Sequence, residues 1–183
     1  YEDRASNTDR LYRSRDAVLG DATESKPAYV GKPTFSYADP GYSGFVSAHA
    51  SRAGTVYIGT NDGMLHAFDA SNGNERWAFV PTAVIPNLWK LADKNYATMH
   101  TNYVNGSPVV SDICTASCGD AASAVWKTIL VFGLNGGGRS YYALDITDPA
   151  APSLLWEFSA SDDSDLGYTF GNPVVTKKAD GTW

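Results

Sequence analysis

Short apolar stretches separated by polar turns recur along most of the chain. Runs rich in Val, Ile, Tyr and Phe alternate with clusters of Gly, Asn, Asp and Pro, and the spacing of an amphipathic helix is almost absent. This pattern predicts an all-β fold, with one or two helical turns over residues 86–92. Residues 1–26 differ, because charged side chains outnumber apolar ones there, and we expect them to form a mobile or edge-lying lead-in.

The chain contains two copies of one supersecondary pattern. Residues 55–79 give strand, tight turn, strand, turn and strand, and residues 129–158 give the same order. A short apolar element that begins with Pro precedes each copy, at Pro27 and Pro108, and a third such element begins at Pro173. Pro is tolerated at the first residue of a strand because no ladder donor is needed there. Repeated units of four antiparallel strands are typical of β-propeller blades.

The length of the chain limits how much of a propeller it can form. Closed propellers have about four to eight blades, so 183 residues are too few for a complete ring. We assign residues 19–183 to an incomplete β-propeller of about two to two and a half four-stranded antiparallel blades. Residues 1–18 form the polar lead-in, and we expect the propeller to continue beyond Trp183. Expressed alone, this piece is expected to aggregate or associate through uncovered strand edges.

The overall charge excludes two classes of partner. The chain carries 14 Lys and Arg residues against 20 Asp and Glu residues, a formal net charge of −6. Binding to nucleic acid or to an anionic membrane surface requires a basic patch, so we expect neither. The longest apolar runs, such as residues 129–132, are far shorter than the roughly 18 residues that indicate a transmembrane helix.

Residues 67–77 resemble the tryptophan-docking repeat of quinoprotein propellers, A-x-D-x-x-T-G-x-x-x-W, with Asn72 in place of the Thr. In this motif an Asp bonds the backbone of the turn, a Gly supplies a positive φ, and a Trp fills the seam between neighbouring blades. The second repeat retains the Asp and the Trp around a longer turn. The residues expected to dock the blades are Asp69, Gly73, Trp77, Asp145 and Trp156.

The resemblance to quinoprotein propellers raises the question of catalysis, because quinoprotein dehydrogenases hold pyrroloquinoline quinone and calcium on this scaffold. Those enzymes typically carry two adjacent cysteines against the quinone, whereas three residues separate Cys114 from Cys118 in this chain. Paired carboxylates do not stand at comparable strand ends of the two repeats. We therefore predict a non-enzymatic protein without a cofactor in this span, and a quinone-dependent oxidoreductase is the alternative.

Cys114 and Cys118 lie in a loop of small residues, which can bring two Cβ atoms within bridging distance. Neither cysteine has a His within ten residues, so a loop-closing disulfide is favoured over a metal site or a catalytic thiol. A disulfide at this position implies an oxidising compartment.

Two further segments imitate ligand-binding motifs. Residues 133–140 match a phosphate-binding loop with Arg in the Lys position, but an aromatic strand follows where such a loop needs a helix N-terminus. Residues 162–165 contain three carboxylates, but their spacing differs from that of a calcium-binding loop. We interpret both segments as turns. His49, His66 and His100 are isolated from one another in the sequence and are not assigned as ligands.

The string at residues 56–69, V-Y-I-G-T-N-D-G-M-L-H-A-F-D, is similar to the signature of the C-terminal propeller of the PilC/PilY family. The members of this family are type IV pilus assembly factors and tip-associated adhesins. Further matches follow in order, and the resemblance extends over residues 19–175. These matches lie at residues 19–21, 105–110, 126–138, 142–149 and 165–173.

The resemblance implies an extracytoplasmic protein of the periplasm, outer membrane or pilus tip of a Gram-negative bacterium. Its implied roles are to promote pilus extension, to oppose retraction and to contribute to attachment. The implied partners are pilus subunits or minor pilins, and a host or surface receptor. The calcium loop of the family, of the D-x-D-x-D-G kind, has no match in this chain, so a role for calcium is left to other parts of the full-length protein.

We expect docked blades to present two loops at the rim of the propeller, residues 81–103 and 114–124. Trp89 and Tyr96 in the first loop are the expected interface anchors, since interfaces favour aromatic side chains. The alternative is that both pack on their own blade. A periplasmic assembly scaffold built from the same repeat is the remaining alternative function.

Overall fold

Two four-stranded antiparallel sheets form the body of the molecule. The computed structural model describes residues 12, 13, 15 and 17–183. Within each sheet the strands neighbour one another in chain order, and we call the sheets blade 1 and blade 2. Blade 1 consists of β1 (Ala28–Val30), β2 (Thr55–Thr60), β3 (Met64–Asp69) and β4 (Glu75–Phe79). Blade 2 consists of β5 (Val109–Ala116), β6 (Val125–Gly133), β7 (Ser140–Asp145) and β8 (Ser153–Ser159).

This architecture confirms the predicted all-β fold and its two propeller blades, and the two sheets do not close into a ring. The third element that begins with Pro, residues 171–175, does not form a strand. An isolated bridge between Asn135 and Thr169 precedes it, and Val174 within it is 84% exposed. A strand needs a neighbour to pair its backbone groups, and in the described part of the chain no further strand lies beside this element.

Most of the predicted lead-in over residues 1–18 lies outside the described residues. The segment that follows runs along the edge of blade 1. The backbone N–H of Gly20 donates to the Asp62 carboxylate at 2.8 Å, and the Gly59 N–H donates to the Ser25 hydroxyl at 3.0 Å. These bonds hold the start of the propeller domain against the β2–β3 hairpin.

The two blades match each other in strand register. Trp77 lies beside Ala67 across the outer pair of strands in blade 1, and Trp156 lies beside Ala143 in the same way in blade 2. In both blades the register shifts directly before the Trp, so that one extra residue bulges out of the outermost strand. The bulged residues are Arg76 and Leu155.

The facing sides of the two sheets share one core. Tyr57 and Leu65 of blade 1 and Phe132 and Tyr142 of blade 2 are completely buried. The ring of Phe79 meets Phe132 and Tyr142 edge-on, at centroid distances of 6.2 and 5.8 Å. Because large aromatic side chains from both sheets are buried against each other, the blades form one packed unit.

A seven-residue helix, α1 (Tyr42–Ala48), lies outside the sheets. The sequence pattern did not predict it, because seven residues are too few to show helical periodicity. The helix follows Gly41, whose φ of 76° lies in the left-handed region. Tyr42 packs on Trp126 of blade 2 at a centroid distance of 4.7 Å, and the Trp126 indole N–H donates to the Pro40 carbonyl at 2.9 Å. Tertiary contacts therefore stabilise this short helix.

The chain between the blades contains two 3₁₀ helices, Thr82–Ala92 and Tyr96–Thr98. We call residues 80–108 the connector. Its first helix confirms the predicted helical turns over residues 86–92, and Pro86 lies inside it. Among the described residues, no helix has the length and apolar character needed to cross a membrane.

Candidate functional site

The connector carries an exposed aromatic side chain. Val84 and Leu91 are buried and attach the Thr82–Ala92 helix to the core. Trp89 lies on the same helix and is 63% exposed, and Ile85 on that helix is also exposed. An exposed aromatic side chain on an element that is attached to the core is a candidate contact for a partner protein.

Tyr96, the other expected interface anchor, is buried in the connector. The Arg13 guanidinium lies over its ring at 4.1 Å, and the Tyr96 hydroxyl donates to the Thr101 carbonyl at 3.4 Å. Burial raises the pKa of the Tyr96 hydroxyl. Tyr96 therefore packs within the connector, which is the alternative to an exposed interface anchor.

The first docking motif forms a closed turn at the end of β3. One carboxylate oxygen of Asp69 accepts hydrogen bonds from the Ser71 backbone N–H at 2.8 Å and from the Ser71 hydroxyl at 2.6 Å. The other oxygen lies 2.6 Å from the Arg76 guanidinium. Hydrogen bonds from Ser71 lower the pKa of Asp69, and Gly73 has a φ of 76°. The bond from the Ser71 backbone and the positive φ of Gly73 agree with the roles that the motif gives to the Asp and the Gly.

Trp77 lies in the seam between the blades. Its indole N–H donates to the Pro149 carbonyl of the β7–β8 turn at 2.8 Å, and its ring lies 5.6 Å from the Tyr57 ring. One side chain of blade 1 thus contacts both its own sheet and the outer turn of blade 2. Trp156, at the equivalent position of blade 2, is 45% exposed.

Asp145 repeats the role of Asp69 with different partners. Its carboxylate accepts a hydrogen bond from the Thr147 hydroxyl at 2.6 Å and lies 2.6 Å from the Lys127 ammonium. Burial by itself would raise the pKa of Asp145, but the hydrogen bonds from Lys127 and Thr147 outweigh it and lower the pKa. The longer turn of the second repeat therefore retains the carboxylate that closes it.

His66 is held between two carboxylates, an arrangement that the sequence analysis missed. Its Nε2 lies 3.1 Å from both carboxylate oxygens of Asp62, and its Nδ1 lies 2.5 Å from Glu75. Burial by itself would lower the pKa of His66, but its hydrogen bonds to Asp62 and Glu75 raise it. Burial would raise the pKa of Asp62, but hydrogen bonds from His66, Thr60 and the Gly20 backbone lower it.

In this arrangement an imidazole lies between two carboxylates, which favour its protonated form. In the part of the chain that the structure describes, no group of three or more His, Cys, Asp or Glu side chains could hold a metal ion. The available sequence signal was Asp62 four residues before His66 across a tight hairpin, which is too common a spacing to indicate contact.

Cys114 and Cys118 form a disulfide, with 5.7 Å between their Cα atoms. Cys114 belongs to a buried cluster with Tyr42, Phe45 and Trp126. The disulfide therefore closes the loop after β5 against the aromatic side chains that hold α1.

The glycine-rich segment that imitates a phosphate-binding loop has a packing explanation. A Cβ on Gly137 would lie 1.8 Å from the Tyr103 carbonyl oxygen, and one on Gly106 would lie 2.2 Å from the Gly133 carbonyl oxygen. Side chains at these positions would separate the connector from the β6–β7 hairpin. The glycines thus allow the connector to contact blade 2 through its backbone.

The chain is similar to proteins of type IV pili. Residues 19–183 match the family model of the PilY1 beta-propeller domain. The type IV pilus biogenesis factor PilY1 of Pseudomonas aeruginosa strain PAK is 44% identical over 189 residues, which cover 99% of this chain and 16% of that protein. The crystal structure of the Pseudomonas aeruginosa PilY1 C-terminal domain matches with a TM-score of 0.67 at 39% identity, and covers 85% of this chain and 30% of that chain. The chain therefore spans a minor part of both.

A partial similarity extends to an enzyme. The 1-butanol dehydrogenase (quinone) of Thauera butanivorans is 36% identical over 59 residues, which cover 31% of this chain and 10% of the enzyme. The shared stretch therefore covers a minor part of either protein.

Proposed function

The chain belongs to the PilY1 β-propeller family of type IV pilus biogenesis factors, and we propose that it serves pilus biogenesis and adhesion without catalysing a reaction. In this role the docked blades hold the connector at the rim of the propeller. The connector contacts pilus subunits, minor pilins or a surface receptor. Membership in a pilus factor family and the Cys114–Cys118 disulfide support a location outside the cytoplasm, in an oxidising compartment.

The exposed indole of Trp89 carries this proposal. The Thr82–Ala92 helix is attached to the core by Val84 and Leu91, so Trp89 stands on a fixed support. An exposed indole on a fixed support can serve as an anchor of a protein interface, where a few aromatic side chains provide most of the binding energy.

Substitution of Trp89 in the full-length protein tests the proposal. We expect Trp89→Ala to weaken partner binding about 30-fold, the equivalent of about 2 kcal/mol at an interface hot spot. The measurements are the number of surface pili and of attached cells, with protein level and Tm as checks on folding. Tyr29→Ala is the matched control, because Tyr29 is an exposed aromatic residue on β1, outside the connector. Normal piliation and attachment in Trp89→Ala would contradict the proposal.

The same variant separates adhesion from assembly. A direct role in attachment predicts fewer attached cells at an unchanged number of pili. A periplasmic assembly scaffold predicts fewer pili and unchanged attachment for each pilus that remains.

A quinone-dependent oxidoreductase is the second candidate, because one stretch is similar to a quinone alcohol dehydrogenase. Incubation with pyrroloquinoline quinone and calcium, followed by a dye-reduction assay with short alcohols, tests it. We expect no turnover above the free cofactor. Clear turnover would overturn the proposal of a non-enzymatic role.

A further inference from the structure

A cavity of 510 Å³ lies where the connector meets blade 2. One wall consists of connector residues 82–84, 87 and 101–103, and the other consists of residues 136–140, the end of β8 and Tyr168. We call this cavity the connector groove. Its volume lies within the range of about 300–1,000 Å³ that small-molecule sites occupy.

Neutral hydrogen-bonding side chains line much of the connector groove. Among the described residues, the side-chain amides of Asn87 and Asn102 make no hydrogen bond. A Cβ on Gly136 would lie 2.8 Å from the Asn102 amide nitrogen, so the glycine leaves this amide room. Each amide offers one acceptor oxygen and two N–H donors. Two free amides in one groove are therefore suited to neighbouring hydroxyl groups of a single ligand.

The charged side chains of the connector groove already have protein partners. The Arg139 guanidinium donates to the carbonyls of Leu166 and Ser164, each at 2.5 Å. Glu157 accepts a hydrogen bond from the Tyr142 hydroxyl at 3.1 Å. One cation and one anion, both engaged, give the groove no net charge that would select a phosphate or a metal ion. The groove is suited to a neutral ligand.

An exposed aromatic ring borders the connector groove. Tyr168 lies five residues before Pro173, as Tyr103 lies five residues before Pro108 in the preceding repeat. Tyr103 is buried under the Thr82–Ala92 helix, where its hydroxyl donates to the Asn87 carbonyl at 2.8 Å. Among the described residues no helix covers Tyr168, which is 62% exposed. Its ring offers a flat apolar face with a polar edge, on which the C–H face of a sugar ring can stack.

From this geometry we propose that the connector groove binds a short neutral saccharide. The sugar ring stacks on Tyr168, and its hydroxyl groups bond to the amides of Asn87 and Asn102. The proposal rests on the proposed function in attachment and deepens it, because it names a polyhydroxylated ligand as the chemistry of the surface receptor.

Binding of the full-length protein to an array of neutral hexose and N-acetylhexosamine oligosaccharides tests the proposal, with sialylated and sulfated oligosaccharides on the same array. The best neutral oligosaccharide is then titrated by calorimetry. We expect Tyr168→Ala and Asn102→Ala each to weaken its binding at least about tenfold. Tyr29→Ala is again the matched control, an exposed Tyr outside the groove, and should bind as the unaltered protein does.

Three results would overturn the proposal: no binding to any neutral oligosaccharide, binding only to charged ones, or binding unchanged in both groove variants with an unchanged Tm. Pilus counts distinguish this failure from failure of the proposed function. If Trp89→Ala leaves piliation and attachment normal while Tyr168→Ala abolishes saccharide binding, the groove proposal stands and the connector interface fails. If Trp89→Ala lowers piliation or attachment while Tyr168→Ala leaves saccharide binding unchanged, only the groove proposal fails.

Discussion

Trp77 and Trp156 occupy the same register position in the two blades but have different surroundings. Trp77 lies in the inter-blade seam, with its indole N–H bonded to the Pro149 carbonyl of blade 2 at 2.8 Å. Trp156 borders an open apolar cavity of 750 Å³ that Val131 and Phe158 also line. The repeated motif thus determines where the indole stands in the sheet. Docking also requires a following blade that supplies a carbonyl and an apolar surface.

The sharpest test of this comparison is to truncate each indole in the 183-residue chain. Trp77→Ala should lower the free energy of unfolding by about 3 kcal/mol, since it removes a seam contact and leaves a cavity. Trp156→Ala should cost less than about 1 kcal/mol, because the side chain is half exposed. Urea unfolding measures both values. Equal losses in this chain would contradict the difference in docking.

The same pair of substitutions in the full-length protein tests whether a third blade follows. If a further blade packs on Trp156, both substitutions should cost about 3 kcal/mol there. The open face of blade 2 also underlies the expectation that the isolated chain self-associates. A monodisperse monomer in light scattering would contradict that expectation.

The next largest effect concerns the disulfide, which lies in blade 2. Cys114 packs in the cluster that holds α1, and α1 lies between β1 and β2 of blade 1 along the chain. Replacing Cys114 and Cys118 by Ser should cost about 2 kcal/mol, the value for a loop of about five residues. Thermal or urea unfolding measures it, and reduction of the unaltered chain should give the same loss. Equal stability of the oxidised and reduced chains would show that packing around Trp126 alone holds α1.

The pH dependence of stability should differ between the blades, because only blade 1 carries the His66 cluster. The folded-state pKa of His66 is raised above its ordinary value of 6.5. Its contribution is therefore fully present below that value and is lost as the pH rises through the raised pKa. Asp62 has a lowered pKa, so its contribution is lost only as the pH falls through that pKa.

Urea unfolding from neutral to mildly alkaline pH measures this contribution. We expect stability to fall over that range in the unaltered chain, by less than the loss of the disulfide, and His66→Gln to remove the decline. His49→Gln is the control, since His49 does not contact a carboxylate among the described residues. An identical decline in His66→Gln would mean that another titrating group causes the loss of stability.

The smallest effect concerns polar atoms in the seam of blade 1. The hydroxyls of Thr55 and Tyr57 are buried without a hydrogen-bond partner, whereas Ile129 and Val131 occupy the same register positions in blade 2. Tyr57→Phe removes one unsatisfied hydroxyl, so the free energy of unfolding should stay unchanged or rise by about 1 kcal/mol. A clear loss of stability in urea unfolding would mean that the hydroxyl is satisfied in solution.

Strand order and repeat register were predictable because they follow from local patterns. Alternating apolar residues, the Asn72–Gly73 turn and the Pro before each leading strand all act over a few residues. The close spacing of Cys114 and Cys118 likewise favoured a disulfide over a metal site or a catalytic thiol. The α1 helix could not be predicted, since its stability comes from Trp126, which lies far along the chain.

The residues at the candidate site were predictable only by type. Aromatic side chains in the connector indicated a binding loop, but the sequence did not show that Trp89 is exposed and Tyr96 buried. The partners of Tyr96 are Arg13 and Thr101, and neither contact follows from spacing. The connector groove was not predictable either, because one wall comes from the connector and the other from blade 2 and Tyr168, which lie far apart in the sequence.

By itself, the sequence determined the repeating unit, the residues that close each turn, the disulfide loop and the similarity to a pilus protein family. These properties depend on short-range backbone preferences and on ordered motifs. Only the tertiary structure decided that Trp77 is docked and Trp156 open, that His66 lies between two carboxylates, and that Tyr168 borders a polar groove. Each of these depends on which distant segment excludes water from a side chain, and burial of this kind arises only when the blades pack.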